Sequence, residues 1–337
     1  MKKLLYLSII LIIVLIGFLY FPSMKKGTGA DKFTQYEWDK NWPQLPNGIV
    51  LGNPTGIALD SHENLFVFCR ADRAWPLTGP LPKERIAANT ILVIDKETGK
   101  LIKSWGADMF VMPHGLTIDK EDNIWLTDVG LQQVFKFNQD GKLLMTLGEA
   151  YVAGTDQRHF NLPTAVAITH DGSFYVSDGY GNSRIVKFDS SGKFLLEWGT
   201  KGRKEKEFDI PHGLALDDQE NVYVADREND RVQVFDPTGK FIKQYADKSF
   251  GRICDVYFNQ QTKQLIAVDD DGSIHHKGSD VIIFDSNGVV QSRFGRSGQY
   301  GGPVCWYHDL VQDKEGTIYI GDILGNTLQK FRKITKH

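Results

Sequence analysis

Three histidines recur along the sequence at nearly equal intervals. His114 and His212 each stand in the tripeptide Pro-His-Gly, and His308 follows, so that the spacings are 98 and 96 residues. Three neutral imidazoles around one point, with a fourth position left open, form an arrangement that catalytic Zn²⁺ sites use. Such a zinc acidifies a bound water or hydroxyl and polarises a carbonyl. Each histidine alone would be an ordinary strand residue, so the hypothesis depends on elements that bring the three together.

Three further side chains could act beside such a metal. Arg70 lies in "FCRADRAW", Tyr180 in "SDGYGNSR" and Arg227 in "VADREN", each just beyond an apolar segment. An arginine can orient an anionic substrate, because its planar fork matches a carboxylate. A tyrosine can move a proton, but its ordinary pKa near 10 makes it a poor base unless cations such as arginine or zinc lower that pKa. For Arg227 a structural ion pair with a nearby carboxylate is an open alternative.

These residues stand in a repeated unit that begins near residue 50. Each of six units contains two alternating apolar segments around an acidic turn, then two more, as in "LPTAVAITHDGSFYVSDGYGNSRIVKFDSSGKFLLEWG". Four short antiparallel strands in about 40 to 60 residues are typical of a propeller blade. The last unit, "YHDLVQDKEGTIYIGDILGNTLQKF", stops after three strands. We therefore predict an all-β, six-bladed β-propeller in which "YEWDKNWPQLPNGIVLG" supplies the missing outer strand and closes the ring.

Aligning the six units places one residue of each at the start of the innermost strand, at one mouth of the central channel. These residues are Thr55, His114, Thr164, His212, Cys254 and His308. The histidines occupy units two, four and six, and alternate blades of a six-fold ring stand about 120° apart. The alignment therefore predicts that the three imidazoles converge on the channel axis.

Five of the six units end their second strand with an aspartate at the same mouth. These residues are Asp128, Asp178, Asp226, Asp269 and Asp322, and unit one has Cys69 instead. Aspartate at a strand end commonly accepts backbone hydrogen bonds in a turn. We therefore interpret this set as turn caps rather than as chemistry.

The composition excludes several functions. The net charge is −3 over 337 residues, and the densest basic stretch, "KGRKEKEF", is mixed in sign, so nothing indicates nucleic-acid binding. The three cysteines, Cys69, Cys254 and Cys305, cannot all pair within the chain, and no disulfide framework is implied.

The N-terminus carries a strongly apolar segment, "LLYLSIILIIVLIGFLYF" over residues 4–21, with lysines on both sides. Eighteen residues at helical rise roughly span a hydrocarbon core. A small-residue cleavage site is missing from "FPSMKKGTG", which favours an uncleaved anchor over a removed signal. We predict a transmembrane or signal helix over 1–24, a linker and closing strand over 25–44, and the propeller over 45–337. The propeller is expected outside the cytoplasm, or secreted if the segment is cleaved.

Several of these motifs together resemble one known family. They are "MPHGLTIDKEDNIWLTDVGLQQVFKF", "SDGYGNSRIVKF", "IPHGLALDD" with "VADREN", and "HDLVQDKEGTIYIGD". They are similar to the motifs of peptidyl-α-hydroxyglycine α-amidating lyase, a zinc-dependent six-bladed propeller of NHL-type repeats, over roughly residues 45 to 333. One departure is Trp306-Tyr307, where that family has Met-Pro before the last histidine.

The resemblance implies roles for particular residues. It implies zinc on His114, His212 and His308, active-site roles for Arg70, Tyr180 and Arg227, and a structural calcium on Ile57, Leu116 and Asp309. The implied reaction splits a peptidyl-α-hydroxyglycine, or a related carbinolamide, into a peptide amide and glyoxylate. The expected partners are a small peptide or acylglycine-derived substrate and, through the N-terminal segment, a membrane; a monomer is expected.

Two other functions stay open at this point. One is an exported NHL-type propeller that binds a peptide or glycan at the same mouth without chemistry. The other is a metal-dependent propeller hydrolase, which would be expected to hold calcium with acidic and asparagine ligands where this chain has histidines.

Overall fold

The repeated apolar segments form four-stranded antiparallel sheets in the computed structural model, which describes residues 36–76, 78–270 and 278–334. That part of the chain contains six such sheets, and in each the strand that begins a repeat lies at one edge. These first strands contact the first strands of the neighbouring sheets, including the sixth with the first, so they line a closed central channel. The prediction of a six-bladed, all-β propeller is confirmed.

The first three blades follow the sequence repeats in order. Blade 1 consists of Pro54–Leu59, Asn64–Cys69, Ile91–Asp95 and Leu101–Trp105. Blade 2 consists of Pro113–Ile118, Ile124–Asp128, Gln133–Phe137 and Leu143–Leu147. Blade 3 consists of Pro163–Ile168, Phe174–Asp178, Arg184–Phe188 and Phe194–Trp198.

The last three blades complete the ring. Blade 4 consists of Pro211–Leu216, Val222–Asp226, Arg231–Phe235 and Phe241–Ala246. Blade 5 consists of Arg252–Asn259, Gln264–Asp270, Val281–Phe284 and Val290–Phe294. Blade 6 consists of Tyr307–Gln312, Ile318–Asp322, Thr327–Lys333 and the N-terminal strand Tyr36–Trp38. Smaller elements are the parallel strands Thr200–Lys201 and Glu207–Phe208, and the 3₁₀ turns Arg227–Asn229 and Gly298–Tyr300.

The turn between the first two strands of a blade is fixed by its acidic residue. In blade 2, Asp119 accepts hydrogen bonds from the backbone N–H groups of Glu121 (3.1 Å) and Asn123 (2.9 Å). Asp122 completes the turn with a positive φ of 60°. Aspartate and asparagine tolerate that conformation and supply local acceptors, which explains the acidic turn in the repeats.

The core lies between blades rather than inside them. Each of the six clusters of buried apolar side chains found in the described residues joins two neighbouring blades. Trp125 of blade 2, for example, is fully buried and packs against Phe174 of blade 3 with ring centroids 4.5 Å apart and the ring planes tilted by 48°. Since each blade is covered on both faces, its second strand is apolar at nearly every position. Truncating such an aromatic to alanine costs about 3–5 kcal/mol.

The two ends of the propeller meet in blade 6. Tyr36–Trp38 pairs antiparallel with Thr327–Lys333, with Tyr36 opposite Lys333. The Tyr36 ring also stacks on Phe294 of blade 5 at 4.4 Å, so this short strand joins two blades. It removes an open sheet edge that would otherwise remain.

The predicted N-terminal helix, over 1–24, lies outside the described residues. Within 36–76, 78–270 and 278–334, no helix has the length and apolar character needed to cross a membrane. All three cysteines are buried and unpaired.

Candidate metal centre

The three histidines meet at the channel axis, where the alignment of the repeats places them. Each is the second residue of a first strand, in blades 2, 4 and 6. The ring centroids of His114, His212 and His308 are 4.7 to 4.8 Å apart, and one ligand atom from each lies within 4.8 Å of the others. All three side chains are buried, at 1 to 5% exposure. This spacing suits three ligands of one metal ion.

The other ring nitrogen of each histidine is held by the next blade. Nδ1 of His114 lies 2.8 Å from the carbonyl oxygen of Thr164, Nδ1 of His212 lies 2.6 Å from that of Cys254, and Nδ1 of His308 lies 2.8 Å from that of Thr55. A carbonyl only accepts, so each Nδ1 carries the proton and each Nε2 keeps its lone pair. Ligating histidines are commonly oriented by such a bond from the second ring nitrogen.

The protonation of the imidazoles fits the same role. Burial, followed by the neighbouring imidazoles, lowers the pKa of His114 and of His212 well below the ordinary value. Burial and then Arg70 lower the pKa of His308 to about 3. Neutral imidazole is the form that binds a metal. The donor set and its geometry therefore fit zinc, which three histidines hold in an open catalytic site.

Tyr180 reaches the metal-facing side of two of these rings. It follows the second strand of blade 3, and its hydroxyl lies 3.2 Å from Nε2 of His114 and 3.2 Å from Nε2 of His212. Burial raises the pKa of Tyr180 above its ordinary value, and the guanidiniums of Arg227 and Arg70 oppose this shift without overcoming it. The arginines alone therefore do not make Tyr180 a base. Of the cations considered in the sequence analysis, only a metal is left to lower the pKa of this hydroxyl.

Arg70 forms one wall of the site. It is buried, its Nε donates to the carbonyl of Pro113 (3.0 Å), and one terminal nitrogen lies 3.4 Å from Oδ1 of Asn53. Its guanidinium lies over the ring of Trp75 at 5.1 Å, and that ring packs on Tyr180 with centroids 5.2 Å apart. Burial lowers the pKa of Arg70 to about 10, so the side chain stays cationic at neutral pH.

Arg227 forms the opposite wall, in the 3₁₀ turn after the second strand of blade 4. It makes ion pairs with Glu228 (3.1 Å) and Asp270 (3.6 Å), so the structural alternative for this residue is partly correct. Its guanidinium also lies 5.7 Å from the ring of Trp306, the residue at the departure from Met-Pro. Its Nε is buried without a hydrogen-bond partner among the described residues, so the two ion pairs do not satisfy the whole guanidinium.

The aspartates that end the second strands are turn caps, as the sequence analysis predicts. Asp128 accepts from the backbone N–H groups of Val111 (2.7 Å), Met112 (3.0 Å) and Leu131 (2.9 Å). The equivalent Asp322 accepts from Trp306 (2.9 Å) and Gly325 (3.0 Å). These bonds fix the segments that lead into His114 and His308, so the caps help to position both histidines.

The residues that the resemblance gives to calcium line the channel beneath the histidines. Ile57, Leu116 and Asp309 share a cavity of about 620 Å³ with the three imidazoles, and the Ile57 backbone N–H donates to Asp309 (3.2 Å). A second carboxylate, Asp255, lines the same cavity and was missed. Burial raises the pKa of Asp255 to about 7, and burial followed by Asp255 raises the pKa of Asp309 well above its ordinary value.

A signal for Asp255 was present in the sequence. The residue after the aligned position is small in four blades and acidic in the last two, the set being Gly56, Gly115, Ala165, Gly213, Asp255 and Asp309. A side chain at the glycine positions would meet neighbouring inner strands; a Cβ on Gly213, for example, would lie 2.1 Å from Oδ1 of Asp255. The small residues thus leave room for two adjacent carboxylates.

Known proteins are similar to this chain in its repeats and over most of its length. The family model described as "NHL repeat" matches residues 160–188 and 208–235, in blades 3 and 4. The chain is 35% identical over 336 residues to peptidyl-glycine alpha-amidating monooxygenase B of Xenopus laevis, covering 92% of this chain and 37% of that protein. It is 39% identical over 242 residues to peptidyl-alpha-hydroxyglycine alpha-amidating lyase 1 of Drosophila melanogaster, covering 64% and 43%. The chain thus spans about two fifths of these curated relatives.

Solved structures share the fold at low identity. A catalytically inactive variant of virginiamycin B lyase from Staphylococcus aureus, crystallised with quinupristin, aligns with a TM-score of 0.56 at 13% identity, over 88% of this chain and 99% of that one. A likeness at this identity shows the propeller alone. Several curated relatives bear the family name that the motifs suggest, so this chain is similar to proteins named as peptidyl-α-hydroxyglycine α-amidating lyases, and it contains NHL repeats.

Proposed function

We propose that this chain is a zinc-dependent lyase that splits peptidyl-α-hydroxyglycine into a peptide amide and glyoxylate. The relatives named for this lyase activity support the reaction class. The observation that carries the proposal is the position of the Tyr180 hydroxyl, 3.2 Å from Nε2 of both His114 and His212. The Tyr180 hydroxyl thus lies at the side of the imidazoles where a metal and the hydroxyl of its ligand would meet it.

The two arginines place the substrate carboxylate. Nη2 of Arg70 has no hydrogen-bond partner among the described residues, and the Arg70 and Arg227 side chains are both buried close enough to Tyr180 to oppose the rise in its pKa. Charge-assisted bonds from guanidinium to carboxylate are strong, and they also fix orientation. The glycine carboxylate between them directs the adjoining α-carbon, with its hydroxyl, toward the three imidazoles.

Zinc on His114, His212 and His308 would supply a Lewis acid that lowers the pKa of the substrate hydroxyl. Tyr180 accepts the hydroxyl proton as a general base. Arg70 stabilises the negative charge that develops on the oxygen. As the C–N bond breaks, the oxygen lone pair forms the aldehyde of glyoxylate, and the Tyr180 proton passes to the amide nitrogen.

The experiment supplies α-hydroxyhippurate to purified protein and follows glyoxylate release. We expect turnover in zinc-loaded protein, loss of turnover with a chelator, and recovery when zinc is returned. The control variant Tyr175→Phe removes a hydroxyl whose one hydrogen bond within the described part of the chain is to the carbonyl of Pro237, and it should keep full activity. If zinc-loaded wild type releases no glyoxylate, the proposal is wrong and the non-catalytic binding propeller is favoured.

We also propose a calcium ion in the channel, held by the carbonyls of Ile57 and Leu116 and by Asp309, with Asp255 as an added carboxylate ligand. Two buried carboxylates with raised pKa values support a cation there, because burial of unpaired charge is costly. Elemental analysis should find calcium in wild type and less in Asp255→Asn. Equal calcium in both would remove Asp255 from the site.

For the segment 1–24 we propose an uncleaved anchor that places the propeller outside the cytoplasm. Mass spectrometry of the mature protein tests this. A chain that begins near residue 25 to 30 would contradict the anchor but not the export.

A further inference from the structure

A second cleft, of about 450 Å³, lies beside the metal centre. We call this cleft the acyl cleft. Its apolar and aromatic lining consists of Trp75, Pro76, Leu81, Pro82, Tyr151 and Leu162. Trp75 belongs to both sites, because its ring also contacts Arg70 and Tyr180. Trp75 therefore lies between the acyl cleft and the groups assigned to the reaction.

The walls of the acyl cleft are fixed by hydrogen bonds and by the core. The Tyr151 hydroxyl donates to the carbonyl of Lys83 (2.9 Å), which joins the wall from blade 2 to the loop after blade 1's second strand. Leu162 donates its N–H to Oε1 of Gln132 (2.6 Å) and accepts from the N–H of Tyr180 (3.4 Å). Leu81 and Leu162 pack on the core between blades 1 and 2. The cleft is thus formed before any ligand binds.

The aromatic side chains at its edge are unusually open for their size. Trp75 is 36% exposed and Tyr151 is 42% exposed. The amide side chains of Gln132 and Asn161 add polar groups to the lining. Apolar and aromatic walls with a few polar groups, in a volume of about 300–1,000 Å³, are typical of small-molecule sites.

We propose that the acyl cleft binds the acyl side of the substrate, and that it selects an apolar or aromatic residue before the hydroxyglycine. This inference rests on the proposed function. The carbinol carbon carries the carboxylate on one side and the acyl-amide on the other. If the arginines take the carboxylate, the acyl group leaves the centre past Trp75, where the apolar walls begin.

The test compares two substrates that differ only in the acyl group, α-hydroxyhippurate and N-acetyl-α-hydroxyglycine. Wild type should show the higher kcat/KM for the benzoyl compound. In Leu81→Gln and in Tyr151→Ala that preference should fall about 10-fold, since lost apolar contact in a pocket changes kcat/KM by about 10- to 200-fold. The matched control, Leu195→Gln, alters a leucine that is 46% exposed on an outer strand of blade 3, and it should keep the preference. An unchanged preference in both cleft variants would overturn the proposal.

A binding measurement separates this inference from the lyase itself. Hippurate and N-acetylglycine lack the reactive hydroxyl, and calorimetry should find hippurate bound more tightly by wild type but not by Leu81→Gln. If glyoxylate never forms but this difference is present, the lyase proposal fails and the acyl cleft stands. If wild type binds both compounds equally, the acyl cleft is wrong, whatever the activity.

Discussion

The even-numbered and odd-numbered blades use one position of the first strand for different purposes. Blades 2, 4 and 6 place His114, His212 and His308 there, and their side chains point to a common centre. Blades 3, 5 and 1 place Thr164, Cys254 and Thr55 there, and contribute their backbone carbonyls to Nδ1 of the preceding histidine. A metal ligand and the group that orients it thus come from adjacent repeats.

The comparison shows how a repeated scaffold becomes a specific site. The ring gives six equivalent positions, and alternation divides them into three ligands and three orienting groups. Tyr180 then breaks the threefold pattern, because among the described contacts its hydroxyl bonds the rings of blades 2 and 4 and not that of blade 6. This one residue of blade 3 therefore gives the site an asymmetry that the ring of first strands does not have.

The largest effect is expected from removing two even-blade side chains. His114→Ala with His212→Ala leaves one imidazole, which cannot hold zinc, so elemental analysis should find almost none and glyoxylate release should stop. The control His170→Ala removes an exposed histidine that bonds Glu220, and it should keep about one zinc per chain. Zinc retained in the double variant would place the metal elsewhere.

The next effect concerns the residue that breaks the symmetry. Tyr180→Phe keeps the ring against Trp75 but removes the hydroxyl. Loss of a general base lowers kcat by about 10²- to 10⁴-fold, whereas zinc content should be unchanged. Steady-state kinetics beside elemental analysis check both. Wild-type turnover would mean that another group accepts the proton.

A smaller effect should appear in the pH dependence of the zinc-free protein. The folded pKa of His308 is about 3, below the ordinary 6.5, because the site is buried. The folded protein therefore binds a proton at His308 less readily than the unfolded chain does. The resulting contribution of His308 to the free energy of unfolding is fully present above pH 6.5 and is lost as the pH falls toward 3. When unfolding by denaturant is measured with a chelator present, the free energy of unfolding should fall less steeply with decreasing pH in His308→Gln than in the wild type. Equal slopes in the two proteins would mean that this imidazole is not buried in the neutral form.

The smallest effect is expected at an odd-blade position. Cys254→Ala keeps the backbone carbonyl that holds His212, so zinc and turnover should be unchanged. The buried thiol donates to Asp270 (3.4 Å) and also interacts with Arg227, and its loss should cost about 1 kcal/mol of unfolding free energy. Loss of zinc in this variant would show that the side chain, not the carbonyl, is the functional group of the odd blades.

The sequence predicts most of this arrangement because the repeats can be aligned. A single register places all three histidines, and it separates Tyr180 and the arginines from the aspartate caps. The carbonyl partners of Nδ1 could not be predicted, since they depend on how neighbouring blades pack. The channel carboxylate Asp255 was missed although Asp309 has the same offset in the next repeat.

Other parts have no counterpart in the repeats. Trp75 and Leu81 stand in a long connection of blade 1, between Asn64–Cys69 and Ile91–Asp95, that no other unit shares. The contact between Trp75 and Tyr180 joins blades 1 and 3, so an alignment of the repeats could not predict it. The direction of the Tyr180 pKa shift could not be predicted either, because it depends on how far burial outweighs the effect of the two guanidiniums.

The strand that closes the ring sets an order of events during synthesis. Tyr36–Trp38 leaves the ribosome before any blade exists, and its partner Thr327–Lys333 leaves only after the other five blades have been synthesised. Contacts between such distant segments make folding slow. Blade 6 therefore cannot be completed until the other five blades have been synthesised, and binding of a metal by all three histidines should follow the closure of the ring.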